Sequence, residues 1–449
     1  MIKINPSIFR DYDIRGIYPT DLNEDTYYIL GKASARYLKV PLIALGHDGR
    51  NSSPSLFEAF IRGATEMGTD VVDLGLISTE MLYFASGHYQ FPASAIISAS
   101  HNPGQYNGLK MVLKNVVPLH GNLGFPEIKE LALSQNFPPA SKKGKVTLQS
   151  IIDDWSSHIL TFVNTDTIKP LKVAIDAGNG MGGLAWDKLK DKLPLEIIPL
   201  YFEPDGNFPH HIADPLKEEN MVDLKKAVLE NKADLGIAHD GDSDRMFAVD
   251  EKGEILSGTI TSAILSEHLL KKNGPGTVLY NVVCGKIVPE TITANGGTPL
   301  RVRVGHSFTK ETMKKTNALF AGEHSGHFYF RQNYFADSST IAAILLIEYL
   351  SLNNLKASEA HAKFNRYADS GEKNFKVKNI TDAVKKIKDA SGGAVSTDEI
   401  DGLSVWYPTY WFNLRQSKTE PLLRLNLEAD TQEIMDGELK RLTEIIVSS

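Results

Sequence analysis

The sequence predicts an α/β protein: three tandem, similar α/β domains with mixed, mostly parallel sheets, followed by a C-terminal α+β domain. Three observations carry this reading. Strand-like and helix-like patterns alternate in three successive rounds between residues 41 and 322, the signature of βαβ units. Each round ends on an apolar strand that runs into a polar loop rich in chemistry-bearing side chains. The segment from residue 367 onward changes style, with two strand-rich runs and one closing helix.

In the first round, Leu42-Ile43-Ala44-Leu45 reads as a strand, Pro54 to Met67 as a helix, Val71-Val72-Asp73-Leu74 as a strand, and Ala95-Ile96-Ile97 as the strand before the first loop. The second round places strands at Val173-Ala174-Ile175, Ile197-Ile198-Pro199-Leu200 and Leu235-Gly236-Ile237, with helices from Leu184 and from Leu224 to Glu230. The third places strands at Val278-Leu279-Tyr280, Arg301-Val302-Arg303 and Ala318-Leu319-Phe320. Val405-Trp406-Tyr407 and Leu422 to Leu427 are the late strands, and a helix follows Thr431. Breaks at Pro138 to Lys145, Asp250 to Gly253 and Arg366 to Lys373 divide the chain into 1–145, 146–253, 254–366 and 367–449.

The chain has 449 residues, 42% hydrophobic and 23% charged, the composition of a soluble globular protein. No apolar run approaches the roughly 20 residues of a membrane span, so no membrane partner is expected. The N-terminus lacks the apolar core of a signal peptide, and the single cysteine, Cys284, rules out an intrachain disulfide framework. A cytoplasmic protein is expected. The net charge of −7 argues against sequence-independent nucleic-acid binding, which needs a basic surface. It leaves anionic small molecules open, since those need only local cations.

The densest chemistry is Asp240-Gly241-Asp242-Ser243-Asp244-Arg245. Carboxylates at i, i+2 and i+4 of an extended segment project to one side, and repel one another unless a cation sits between them. Oxygen-only ligation suits Mg²⁺. An EF-hand is the nearest rival, with Glu251 at loop position 12; Arg245 stands where its sharp turn needs glycine. A phosphatase built on an aspartate nucleophile is another, and a solvated acidic turn is the bland alternative.

Ser100, in Ser98-Ala99-Ser100-His101-Asn102-Pro103, is by itself a turn or cap serine; the company it keeps makes it a nucleophile candidate. Glu323, Ser325 and His327 alternate in the same way and could meet the hydroxyls of a polyol from one face. With His324, His327 could also form part of a zinc site, though two imidazoles leave such a site incomplete. Arg415-Gln416-Ser417-Lys418-Thr419 combines guanidinium, hydroxyls and ammonium, as an anion cradle or as a polar hairpin. Gly178-Asn179-Gly180-Met181-Gly182-Gly183 fits a dinucleotide fingerprint after a strand, with Glu203 downstream. An NAD-dependent dehydrogenase would use that loop. The glycines equally serve a tight turn, and the dinucleotide reading leaves Ser100 and the aspartates unexplained.

Taken in order, these segments, together with Ile8 to Gly16, resemble the α-D-phosphohexomutase superfamily, in particular its phosphomannomutase/phosphoglucomutase group, over essentially the whole chain. The resemblance implies a four-domain molecule whose last domain is TATA-box-binding-protein-like. It implies phosphoryl transfer between the 1- and 6-positions of a hexose phosphate, through a phosphoserine and a hexose 1,6-bisphosphate that also acts as activator. Ser100 matches the phosphoserine, and Asp240, Asp242 and Asp244 match the Mg²⁺ ligands, with the phosphoryl group on Ser100 as a further one. Arg15, Arg245 and Lys110 match residues serving the transferred group, Lys110 carrying a proton, and His306 matches a histidine near the reacting sugar. Tyr12, His101, Glu323, Ser325 and His327 match substrate contacts; Arg415, Ser417, Lys418 and Thr419 match the site for the other phosphate. Lys418 departs from the asparagine usual there, and Tyr280 to Cys284 lacks a lysine that some members carry. The form of the sugar loop suits mannose and glucose phosphates; phosphoglucosamine mutase is the nearest alternative. A monomer or homodimer acting on hexose phosphates is expected.

Overall fold

Strand Ala93–Ile97 is buried at every position, as a strand covered on both faces must be, and the first sheet is built around it. In the computed structural model, which describes residues 2–417 and 422–448, this sheet has seven strands. Its main order is Ile14–Ile17, Tyr106–Leu113, Ala93–Ile97, Leu42–His47, Asp70–Leu76 and Val146–Leu148. The last three pairings are parallel, whereas Tyr106–Leu113 runs antiparallel to both its neighbours on this path. Val146–Leu148, expected to open the second domain, instead extends the first sheet. The backbone N–H of Val71 donates to the carbonyl of Lys145, and that of Lys145 to Asp70 Oδ1.

The second sheet orders Ile255–Leu256, Met246–Asp250, Leu235–His239, Leu171–Asp176 and Leu195–Leu200. The three strands read from sequence are its parallel half, and Met246–Asp250 turns back antiparallel on Leu235–His239. Residues 325–358 complete this first compact unit, which otherwise runs from Met1 to Ser257. Their helix, Ser339–Asn353, is buried along almost its whole length, consistent with its being apolar on all sides.

The other unit comprises Gly258–His324 and Glu359–Ser449. Strands Thr298–Val302, Thr277–Asn281 and Phe320–Gly322 pair in parallel, flanked by helices Gly258–Asn273, Ile287–Ala294 and His306–Thr316. The C-terminal segment forms a six-stranded sheet around Leu423–Ala429 and Tyr410–Gln416. Its pairings are antiparallel, with helices Ile380–Asp389 and Gln432–Val447 contributing to its core. Thr431, where the sequence placed the start of the closing helix, caps it by accepting from the N–H of Ile434, as N-cap threonines do.

Candidate active site

In the first unit, the loops after Leu42–His47, Asp70–Leu76, Ala93–Ile97 and Leu235–His239 meet. Ser100 leaves its strand with φ +53°, a left-handed backbone that costs a serine free energy and persists only where the surroundings enforce it. Its Oγ lies 3.2 Å from Asp240 Oδ2 and 3.2 Å from His101 Nδ1.

The aspartates converge by a route other than strand alternation. Residues 240–244 form a turn with Ser243 at φ +60°, and Asp240 Oδ1 accepts from the backbone N–H groups of both Asp244 and Arg245 at 3.0 Å. The turn curls the three carboxylates toward one centre; one oxygen of each lies within 4.8 Å of the others. Lys110, on the neighbouring sheet, reaches Asp242 Oδ2 at 2.6 Å and Asp244 Oδ2 at 2.9 Å. Thr79 donates its hydroxyl to Asp242 Oδ2. Arg245 holds Asp240 through Nε at 3.0 Å and lies 3.5 Å from Asp214. Arg15 binds Asp13 and Asn102, and Tyr12 sits half-buried just before Asp13. His327 Nε2 is 3.4 Å from Asp244 Oδ1, and its Nδ1 is 3.0 Å from Ser325 Oγ.

Burial, reinforced by Asp244 and Asp242 against the pull of Arg245 and Lys110, pushes the Asp240 carboxyl up to about 7. Burial acts the same way on Asp244, yet Lys110 and His327 outweigh it and hold this carboxyl well below its usual range. Burial opposes the Lys110 ammonium, but Asp242 and Asp244 prevail and keep it protonated far into the alkaline range. Burial, then Arg245 and Arg15, depress His101 well below an ordinary imidazole, leaving it neutral.

The carboxylates fit a hard divalent cation. Asp242 Oδ1 is buried with no hydrogen-bond donor, a costly state for a carboxylate oxygen and one that an oxygen-seeking cation relieves.

Glu323, Ser325 and His327 do not share one extended face. Strand Phe320–Gly322 ends before them, and Gly326 at φ +87° turns the chain. Glu323 is buried in the second unit, accepting from Thr309 Oγ1 at 3.0 Å, near the start of the helix opened by His306. Arg415, also in that unit, donates to Glu372 Oε2 at 2.8 Å, with Arg424 3.3 Å from the other oxygen of Glu372. Ser417 is buried beside them in sequence; Lys418 and Thr419 lie outside the described residues. Burial drives the Cys284 thiol up to about 12, opposite to what a nucleophile needs.

The glycine-rich loop packs against the aspartates. The N–H of Met181 donates to the carbonyl of Gly241 at 3.0 Å, and those of Asn179 and Gly180 to Tyr201 and Ala177. A Cβ on Gly180 would fall 2.6 Å from the Gly241 carbonyl oxygen. The N–H groups of residues 178–181 are therefore spent within the fold and not offered to a pyrophosphate. Sequence reasoning missed Thr79 and Arg50. The available signal was positional, since Asp48-Gly49-Arg50 and Ser78-Thr79 also follow strands of the same sheet.

Models of the phosphoglucomutase/phosphomannomutase family match almost the whole chain: alpha/beta/alpha domain I at residues 6–135, domain II at 153–253, domain III at 257–367 and the C-terminal domain at 372–445. A phosphomannomutase of Escherichia coli K12 is 36% identical over 430 residues, covering 94% of each chain. A Xanthomonas campestris protein named phosphohexose mutases is 38% identical over 426 residues, again 94% of each. A crystal structure of a phosphoglucomutase/phosphomannomutase family protein from Burkholderia thailandensis superposes with a TM-score of 0.90 at 28% identity, covering 99% of this chain and 98% of that one. The chain belongs to the phosphoglucomutase/phosphomannomutase family and is a phosphohexomutase, an isomerase.

Proposed function

We propose that the protein interconverts the 1- and 6-phosphates of mannose and glucose through a phosphorylated Ser100 and a hexose 1,6-bisphosphate. The observation that carries this is the position of Ser100 Oγ, 3.2 Å from Asp240 Oδ2, on a loop whose Asn102 is held by Arg15 and beside aspartates held by Arg245 and Lys110. Phosphoryl transfer asks a protein chiefly for alignment and for charge around the moving group, and this loop offers both. In the forward half-reaction the bond between phosphorus and Ser100 Oγ breaks and a bond to a free sugar hydroxyl forms. The proton lost by the sugar hydroxyl is balanced by the one gained at Ser100 Oγ, which is left as a free hydroxyl for rephosphorylation from the other end of the sugar.

Asp240, Asp242 and Asp244 would hold Mg²⁺, which supplies neutralisation of the anionic phosphoryl group. Arg15 and Arg245 supply fixed positive charge to the same group. Lys110, protonated between Asp242 and Asp244, enters as an acid and electrostatic partner rather than as a free base. Tyr12, His101, His306, Glu323, Ser325 and His327 take the sugar and its reacting end. Arg415, Ser417, Lys418 and Thr419 take the phosphate that is not moving. The loops are allotted to four successive segments, the first running to Leu148 because Val146–Leu148 joins its sheet, and the others being 149–253, 254–366 and 367–449. The mannose assignment rests on relatives named phosphomannomutase.

Intact-mass analysis after incubation with glucose 1,6-bisphosphate and Mg²⁺, followed by peptide mapping, tests the proposal. One added phosphate on Ser100, and loss of turnover in Ser100→Ala, are expected. A Ser100→Ala protein that turns over near the parent rate refutes it, and comparison of mannose, glucose and glucosamine phosphates tests the substrate assignment.

A further inference from the structure

Arg50 is the most completely used cation among the described residues of the first unit. It is 2% exposed, and its guanidinium spends every N–H on a fixed acceptor. Nη2 donates to the carbonyls of Ser100 and Asn102, both at 2.6 Å. Nη1 donates to those of Pro103 at 2.9 Å and Tyr106 at 3.0 Å. Nε donates to Asp48 Oδ2 at 3.1 Å, so the charge has its counter-ion. Asp48 is anchored in turn, accepting from the N–H of Arg50 and, at 2.6 Å, from the hydroxyl of Ser53.

The open face of the guanidinium is covered. The ring of Phe208 lies 5.1 Å from Arg50 Cζ, within cation–π range. Phe208 has φ +48°, a conformation that is an outlier for a bulky residue. Beside it Gly206 passes so close that a Cβ would fall 2.3 Å from the N of Asn51 and 2.8 Å from Arg50 Cα. A strained residue and a close-approach glycine, both in the segment after strand Leu195–Leu200, thus press one ring onto one buried arginine of the neighbouring sheet.

We propose that Arg50, clamped between Asp48 and Phe208, is a positioning residue that sets the nucleophile loop by gathering the carbonyls of Ser100, Asn102, Pro103 and Tyr106. The inference rests on Ser100 being the phosphorylated residue. An ordinary loop leaves such carbonyls to water. Here four are drawn to one planar cation, which fixes the peptide plane after Ser100, while the plane before it is held by the Ser100 N–H donating to Ser98 Oγ at 3.0 Å; between them the left-handed backbone of Ser100 is set. Lysine cannot replace the fork, because its donors radiate from a single nitrogen. Arg50 is not assigned any contact with the sugar, so its loss acts on the rate of transfer and not on substrate affinity.

The test is Arg50→Lys, compared with the parent for kcat, for KM toward glucose 1-phosphate, and for the rate at which glucose 1,6-bisphosphate phosphorylates Ser100. A misplacement near 1 Å at a reacting group costs roughly 100-fold; a loss of that order in kcat and in phosphorylation rate is expected, with KM unchanged. Adding guanidinium to Arg50→Ala should restore part of the rate, whereas urea should not, a distinction that a purely structural role does not make. Phe208→Leu keeps every acceptor of Arg50 and removes the covering ring. It should lower the phosphorylation rate severalfold at constant KM and serves if the Arg50 variants fail to fold. A kcat for folded Arg50→Lys within about threefold of the parent overturns the proposal, as does an unaltered Phe208→Leu. Turnover by Ser100→Ala under the same conditions would instead overturn the phosphoserine assignment, so the two failures are distinguishable.

Discussion

Replacing Lys110 with methionine isolates the electrostatics of the site. The substitution keeps the length of the side-chain stem and removes the ammonium of a residue that is 8% exposed, between Asp242 at 0% and Asp244 at 3%. Exposed ion pairs contribute about 0–1 kcal/mol, whereas removing one partner of a buried pair costs about 3–5 kcal/mol because the other charge is left uncompensated. The larger figure applies, since both carboxylates are buried and one oxygen of Asp242 already lacks a donor. The sign with pH follows from the raised folded-state pKa of Lys110. Its contribution is fully present below the ordinary lysine pKa and is lost only as pH climbs through the folded value, so the deficit is constant around neutrality. Mg²⁺ should reduce it: without the ammonium to compete, the carboxylates bind the cation more tightly, and a ligand at about 100 times its Kd stabilises by about 2.7 kcal/mol. Urea unfolding of parent and variant, each with EDTA and with excess Mg²⁺, measures both quantities. A deficit below about 1 kcal/mol, or a gap that Mg²⁺ leaves unchanged, refutes the reasoning.

Two further outcomes follow from the surroundings of the site. Burial raises the Glu80 carboxyl to about 7, against the hydrogen bonds it accepts from Ser338 and Thr340. The folded protein therefore keeps a proton that the unfolded chain releases, and Glu80 lowers stability progressively as pH rises from its ordinary value toward 7, by on the order of 3 kcal/mol in full. Glu80→Gln should remove that slope between about pH 5 and pH 8, and an identical slope in parent and variant would count against the burial argument. Gly180→Ala drives a methyl to 2.6 Å from the Gly241 carbonyl oxygen, which should cost about 1–3 kcal/mol and lower kcat by displacing the aspartate turn. Calorimetry should detect no NAD binding to either protein; a fully active, fully stable alanine variant would show that the loop does not buttress the turn.

Much of this protein is legible in one dimension. The three βαβ rounds appear because strands covered on both faces demand continuous apolar runs, as in Ala93–Ile97, and the helices between them carry their own periodicity. Ser100, Asp240 and Asp242 are legible because polar loops at strand exits advertise themselves by residue type. Convergence is not encoded so locally. The aspartates meet through a turn held by Asp240 accepting two backbone N–H groups, and Lys110 joins them from a strand 132 residues away in sequence. Arg50 shows the limit most plainly. In sequence it is one more basic loop residue, and only folding surrounds it with four carbonyls, a carboxylate and a ring. Periodicity and composition determine which segments become strands and which side chains can do chemistry. Which acceptors a buried cation finds depends on segments distant in sequence, and so is decided only when the sheets pack.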